Sequence, residues 1–448
     1  MRIMEHIRAQ QLRTLFVSIL VVAAPTIAAA DSVSNWNITA ARAVLLAGQN
    51  GIVSSRSLAM TQVAVHDALN AIDRRYETYA LTGDTDPGAS ADAAVATAAH
   101  DALVGLIPVG ALPFAGFGSL SQQTAAIDFV NATYATDIST IPDGPGKTRG
   151  IAVGHAAAMA ILARRSTDGA TAFVPYTPGT NPGDWQPTPN PIPFDPPAAG
   201  DRLPAVLPWW GSVPPFVLRS ADQFETDGPP ALGSELYATD YNEVQAVGNK
   251  IRAVRTSDQE QIARFWFEGS ATGWSRIARV VADARALDSW ERARLLALVN
   301  VAMADGFISG WADKYTFNFW RPVTAVRVGD TDGNDRTIGD AAWESLLNTP
   351  ALPDYPSTHS VLGAAAAEVL RRFFDDDDVA FTVASGAPFA GLTRSFTSFS
   401  QAAQENGDSR VYAGIHFRSA VVDGIDQGKR IGRFVFTHAF RSLLDDDH

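Results

Sequence analysis

The chain has 448 residues, of which 46% are hydrophobic and 19% charged, with a formal net charge of −13 and no Cys. This composition is globular rather than disordered, and zero Cys excludes disulfides, thiolate metal sites, iron–sulfur clusters and Cys nucleophiles. The acidic balance argues against nucleic acid, whose phosphates need Lys and Arg to displace their counterions, and against anionic membranes.

At the start, Arg2, Arg8 and Arg13 precede an apolar run from Leu15 to Ala24, then Ala28-Ala29-Ala30 and Asp31. Basic, apolar, small is the order of a secretory signal. The run is shorter than the ~20 residues a spanning helix needs. Residues 1–30 are therefore expected to be a signal peptide cleaved near Ala30, leaving a secreted or periplasmic protein with no membrane span. Losing three Arg and one Glu makes the mature charge −15.

Residues 31–165 are expected to form an N-terminal helical half. Apolar residues recur at three and four through Leu58–Leu69, Ala94–Ile107 and Ile151–Ala163, the helical period. Residues 166–255 read as a strap. Between Pro175 and Pro230 lie 15 of the 26 Pro, a density that forbids regular helix. Trp185, Trp209, Trp210, Phe216 and Phe224 inside it predict an irregular connector packed on the body, either lining a pocket or simply anchoring the strap. Helical spacing resumes in residues 256–448, over 261–267, 276–286, 291–307, 360–374 and 411–440. No useful alternating β-branched run appears. The expected fold class is all-α: helical bundles in two halves, joined by a long Pro-rich connector.

Three segments in the last part carry chemistry. In the first, Trp311 precedes Lys314, and Arg321-Pro322 follows. Seven residues at about 100° each fall about 20° short of two turns, so both cations would leave one face of a continuous helix. Pro322 would end that helix at Arg321. Next comes Pro353-Asp-Tyr-Pro356-Ser357-Thr358-His359, followed by a clear amphipathic run. Ser357 or Thr358 would cap the helix, whose free N–H groups and dipole cradle an anion. The third segment is Ser409-Arg410-x5-His416, read as Arg410 at a helix start with His416 inside the helix. Each alone has a bland reading: a surface cation pair, a simple cap, a satisfied core His.

In this order, Lys314-x6-Arg321-Pro322, Pro356-Ser357-x-His359 and Ser409-Arg410-x5-His416 resemble the three-part signature of the vanadium-dependent haloperoxidase and PAP2 acid phosphatase superfamily. The strap and the segment from Tyr237 to Phe267 look like its secreted bacterial haloperoxidase-like branch. The resemblance implies a site for a tetrahedral oxyanion, vanadate with phosphate as its competitor. Lys314, Arg321 and Arg410 would neutralise its oxygens. The Ser357 hydroxyl and Thr358 N–H would donate to it. His416 would be the vanadium ligand or the phosphoryl-accepting nucleophile, and His359 the acid–base group. A further acceptor should fix the His416 tautomer. Trp311 and Leu352 match positions near the halide. The implied partners are hydrogen peroxide, halide and a small organic acceptor. Vanadium would act as a Lewis acid, halide leaving as hypohalous acid.

Three departures stand out. Thr358 replaces the usual Gly, which would strain a positive-φ backbone there. Leu352 stands where chloroperoxidases have Phe and bromoperoxidases His. Ala420 stands where the phosphatase pattern often has an Asp for its His, with Asp423 three residues further on. The favoured reading is a vanadate-dependent haloperoxidase. The alternatives are a soluble PAP2-type acid phosphatase using a phospho-histidine, and an inactive oxyanion-binding protein. His66 beside Asp67 is a tempting extra pair; His100, His155 and His438 read as structural. The sequence carries no signal for oligomeric state.

Overall fold

The computed structural model describes residues 31–107, 116–188 and 205–443. The expected signal peptide and the acidic tail at Asp445–Asp447 lie outside them. The described part of residues 31–448 is one compact unit.

The N-terminal part contributes α1 (Ser32–Leu46), α2 (Gly51–Asn70), α3 (Ala91–Leu106), α4 (Leu120–Thr140) and α5 (Pro145–Arg164). Among the described residues, the strap contains a 3-10 turn at Trp210–Ser212 and one α-helix, α6 (Glu235–Val247), which was not expected from the sequence. Then follow α7 (Ser257–Phe265), α8 (Ser270–Ala284), α9 (Ser289–Phe317) and the short α10 (Pro322–Arg327). After a loop come α11 (Thr358–Phe374), a hairpin of β1 (Phe381–Ala384) and β2 (Thr393–Phe396), α12 (Phe399–Tyr412) and α13 (Arg418–His438). The all-α expectation holds apart from that antiparallel hairpin.

The centre is α9. Asp288 caps it in a reciprocal box with Glu291, and Asn318 ends it in the left-handed region at φ 51°. Both ends follow from local chemistry: a short acceptor satisfies the first N–H groups, and Asn tolerates αL. The helix is apolar enough to cross a membrane, yet its most apolar stretch is almost wholly buried in the body. Its neighbours are α2 on one side and α8, α11 and α13 on the others.

The α11–α13 contact sets the position of the site. Gly424, Gly428 and Gly432 recur every four residues and form one ridge of α13. A Cβ on them would meet the carbonyl oxygens of Ser357, Val361 and Ala365 at 2.7, 2.2 and 2.5 Å. The missing side chains let the backbone of α11 lie directly against α13. The start of α11 is tied down further by the Ser357 N–H donating to Ala420 O at 2.9 Å.

The strap runs along α9 and is held by buried carboxylates. Asp305 accepts the backbone N–H groups of Phe216, Val217 and Leu218 at 2.5, 2.8 and 3.0 Å. Asp313 accepts the N–H and hydroxyl of Thr226 and the amide of Gln427. Burial pushes both carboxyls up to about 6, against the lowering effect of those donors. Trp311 and Tyr315 donate to the strap carbonyls of Leu207 and Val206. Trp185, Trp209, Trp210 and Phe216 are buried as anchors, and Phe224 is half-buried.

Candidate oxyanion site

The three motifs converge, by routes that differ from the helical expectation. Lys314 lies in the last turn of α9, but the chain leaves the helix at Asn318. Arg321 is an extended residue (φ −84°, ψ 155°) preceding α10. The two cations therefore do not share a helix face. The loop 318–321 brings Arg321 into the same interior, anchored by Trp320 N–H donating to Gly183 O and Asn318 O accepting from Trp185.

Lys314 is fully buried and donates to three carbonyls, Pro353 O, Asp354 O and Pro356 O, at 3.0, 2.8 and 2.5 Å. Burial, reinforced by Arg321, pushes its pKa well down. Three carbonyl acceptors nevertheless need three N–H donors, which only the ammonium has. Lys314 is thus a clamp on the loop that leads into α11, and it contributes charge without a free proton.

Arg321 donates from Nε to Leu352 O at 2.7 Å and from one terminal nitrogen to Ile415 O at 2.8 Å. The same nitrogen lies 3.0 Å from His416 Nε2. Its other terminal nitrogen is buried with no hydrogen-bond partner among the described residues. Arg410 sits in the last turn of α12, not at a helix start. It donates weakly to Trp266 O at 3.4 Å and lies over the Phe267 ring, while its Nε is also buried without a partner. Burial lowers Arg321 to about 10 and Arg410 to about 9, with Arg321 adding to the latter effect.

His416 is in the turn between α12 and α13, not inside a helix. The break comes at Gly414, which takes φ +77° where a side chain is disfavoured. Burial, then Arg321, Lys314, Arg410 and His359 in that order, hold the ring well below the usual imidazole range. Those four neighbours are themselves the measure of convergence.

Ser357 caps α11 as expected. Its oxygen accepts from Ser360 Oγ at 2.9 Å and weakly from Ser360 N at 3.4 Å, leaving its own O–H to donate elsewhere. Thr358 opens the helix without positive φ, so the expected strain is absent. Its methyl fits against Gly310 of α9. The N–H groups of Thr358 and His359 belong to the first turn, which has no intrahelical acceptors for them. His359 keeps part of its surface open and places Nε2 3.1 Å from Glu268 O, so that nitrogen carries the proton. Burial and Arg410 lower its basicity well below the usual range. Trp311 and Leu352 are buried nearby, Leu352 contributing its carbonyl to Arg321.

Two features were missed in the sequence. The corner Trp266–Glu268, between α7 and α8, supplies carbonyls to both Arg410 and His359. Its own geometry is fixed by Glu268, which pairs with Arg276 and accepts from Gly386 N. The second is Asp354. It is fully buried, with Oδ1 3.0 Å from His416 Nδ1 and 3.7 Å from Arg321. The His contact is close but off-line, so both atoms remain short of a well-aligned bond. An acidic residue inside a Pro-rich turn beside the motif was the available signal. Asp423 instead accepts from Tyr355 OH at 2.6 Å. His66 is not in the site: it is buried against Phe440, between Asp67 and Asn70.

The arrangement is a buried cluster of three cations, one carboxyl group, a neutral imidazole and a helix N-terminus. Two orphaned guanidinium nitrogens and one free hydroxyl proton fit a multidentate oxyanion. Residues 294–445 match the family model of the vanadium chloroperoxidase (VCPO) second helical-bundle domain. Over 171 residues the chain is 30% identical to vanadium chloroperoxidase of Curvularia inaequalis, a match covering 28% of this chain and 27% of that protein. The chain thus aligns with only about a quarter of that curated relative's length. It superposes on the first bacterial vanadium-dependent iodoperoxidase structure with a TM-score of 0.75 and 28% identity, covering 93% of this chain and 98% of that one. An apo-type bacterial vanadium-dependent chloroperoxidase shares the fold, with a TM-score of 0.68 at 18% identity over 87% of this chain and 94% of that one. Over most of its length the chain resembles vanadium-dependent haloperoxidases in fold, and residues 294–445 resemble their second helical-bundle domain in sequence.

Proposed function

We propose that the protein is a vanadate-dependent haloperoxidase, oxidising halide with hydrogen peroxide to hypohalous acid. The observation that carries this reading is the pair of buried, unpartnered guanidinium nitrogens on Arg321 and Arg410, with the other terminal nitrogen of Arg321 3.0 Å from His416 Nε2. A buried donor without an acceptor is costly, and an oxyanion between the two would remove that cost.

Vanadate, when bound, supplies a Lewis acid that activates peroxide. The residues of this chain do the rest. Arg321 and Arg410 neutralise the oxyanion by direct donation, and Lys314 adds its charge through the field while holding the 353–356 loop. The Ser357 hydroxyl and the Thr358 N–H donate from the helix start, where the dipole also favours an anion. The lone pair of His416 Nε2 would be the ligand to the metal. His359, neutral and partly open to solvent, is placed to accept a proton from peroxide on its unprotonated nitrogen and to return it. Trp311 and Leu352 form an apolar wall for a weakly hydrated halide. We further propose export through the segment 1–30, supported by its basic, apolar, small order and by Asp31 serving as the cap of α1.

The test is one preparation assayed two ways. Metal-free protein loaded with orthovanadate should oxidise iodide or bromide in the presence of hydrogen peroxide. The metal-free form should not hydrolyse aryl phosphates. Hydrolysis without halide oxidation would replace this reading with the phosphatase.

A further inference from the structure

We propose that Asp354 is the positioning residue that sets the tautomer of His416, presenting Nε2 as a lone pair to the oxyanion. This deepens the functional reading above and rests on it only for the identity of the ligand.

The argument begins with donors and acceptors. Arg321 approaches His416 Nε2 at 3.0 Å, and a guanidinium has no acceptor. Nε2 must therefore be the unprotonated nitrogen. A neutral ring then carries its proton on Nδ1, and the atom facing Nδ1 is Asp354 Oδ1 at 3.0 Å. The side chain is wholly buried, and Arg321 approaches the same Oδ1 at 3.7 Å. Asp354 itself is fixed by its N–H donating to Phe319 O and its carbonyl accepting from Lys314. The same loop that Lys314 clamps thus carries the group that orients His416. A carboxylate behind a ligating imidazole fixes ring orientation and raises ligand basicity. Four residues after His416 stands Ala420, whose side chain offers no acceptor. Asp354, supplied from the loop before α11, fills that role here.

The test reads the tautomer directly. In metal-free protein with 15N-labelled histidine rings, a long-range proton–nitrogen correlation spectrum reports which ring nitrogen is protonated. The His416 signals are assigned by their loss in His416→Ala. Wild type should show Nδ1 protonated and Nε2 bare. Asp354→Ala should populate the other tautomer and weaken orthovanadate binding, followed by titration calorimetry, about 10- to 100-fold. Near-UV circular dichroism checks that the variant remains folded. Wild-type His416 carrying its proton on Nε2 would overturn the proposal whether or not any variant folds. So would a folded Asp354→Ala protein that binds orthovanadate as tightly as wild type. Correct tautomer and Asp354-dependent binding without halide oxidation would defeat the functional reading alone and leave this inference standing.

Discussion

Thr358 and Gly310 explain each other. Where a Gly was expected at the start of α11, the Thr methyl projects at α9, and a Cβ on Gly310 would come within 2.8 Å of it. Gly310→Ala should therefore destabilise the protein by about 1–3 kcal/mol through overpacking. Adding Thr358→Gly should recover most of that loss. A double-mutant cycle by urea unfolding measures the coupling, and simple additivity would show that the two do not share the space. At this scale the chemistry of the site was legible but its geometry was not. Lys314, Arg321, Arg410 and His416 stand out by type and order. The reason they meet is not the helical face that their spacing implied, because α9 ends at Asn318 and α12 ends before His416. Asp354 stood out only as an acidic residue in a Pro-rich turn; its pairing with His416 was illegible, because it is set by the docking of distant loops, which no local period records.

Helices with an Ala-rich three–four period, such as α2, α3 and α5, could be read directly, because burial of one face repeats with the turn. α6 was hidden by its Pro-rich surroundings, and the α12–α13 break was hidden because apolar spacing resumes on the far side of Gly414. The Gly424–Gly428–Gly432 ridge was present in the sequence as a spacing of four. Its meaning appears only when α11 is laid against it. Gly428→Ala gains about 1 kcal/mol of helix propensity, yet its Cβ would sit 2.2 Å from Val361 O. Because backbone cannot yield as a side-chain tip does, the net change should be a loss of about 1–3 kcal/mol, measured by urea unfolding. A more stable variant would contradict the close approach. The strap makes a parallel case. Asp305→Ala removes the acceptor of three strap N–H groups and should cost about 1–3 kcal/mol. It should also open residues 205–230 to limited proteolysis. Unchanged cleavage would mean that the strap is held mainly by its aromatic anchors.

At the scale of the whole molecule, the net charge of −13 conceals a positive interior. Lys314, Arg321 and Arg410 are almost wholly buried; Asp354 offsets the first two, Asp313 also offsets Lys314, and Arg410 is lowered by burial and Arg321. Their lowered pKa values say that the metal-free protein holds this charge at a cost. An anion that binds the folded state should therefore stabilise it. Orthovanadate at 100 times its Kd should add about 2.7 kcal/mol and raise Tm by a few degrees in a thermal scan. Phosphate should do the same at higher concentration, and His416→Ala should lose more of the vanadate shift than of the phosphate shift. Equal loss for both would argue that His416 is not a metal ligand. The central claim, that these residues form a vanadate site that oxidises halide, is tested most directly by steady-state iodide and bromide oxidation. Metal-free protein is loaded with orthovanadate and given hydrogen peroxide, with His416→Ala assayed beside it. Oxidation that depends on vanadate and is lost in the variant is the expected result. Oxidation that is absent, or that survives in His416→Ala, would contradict it.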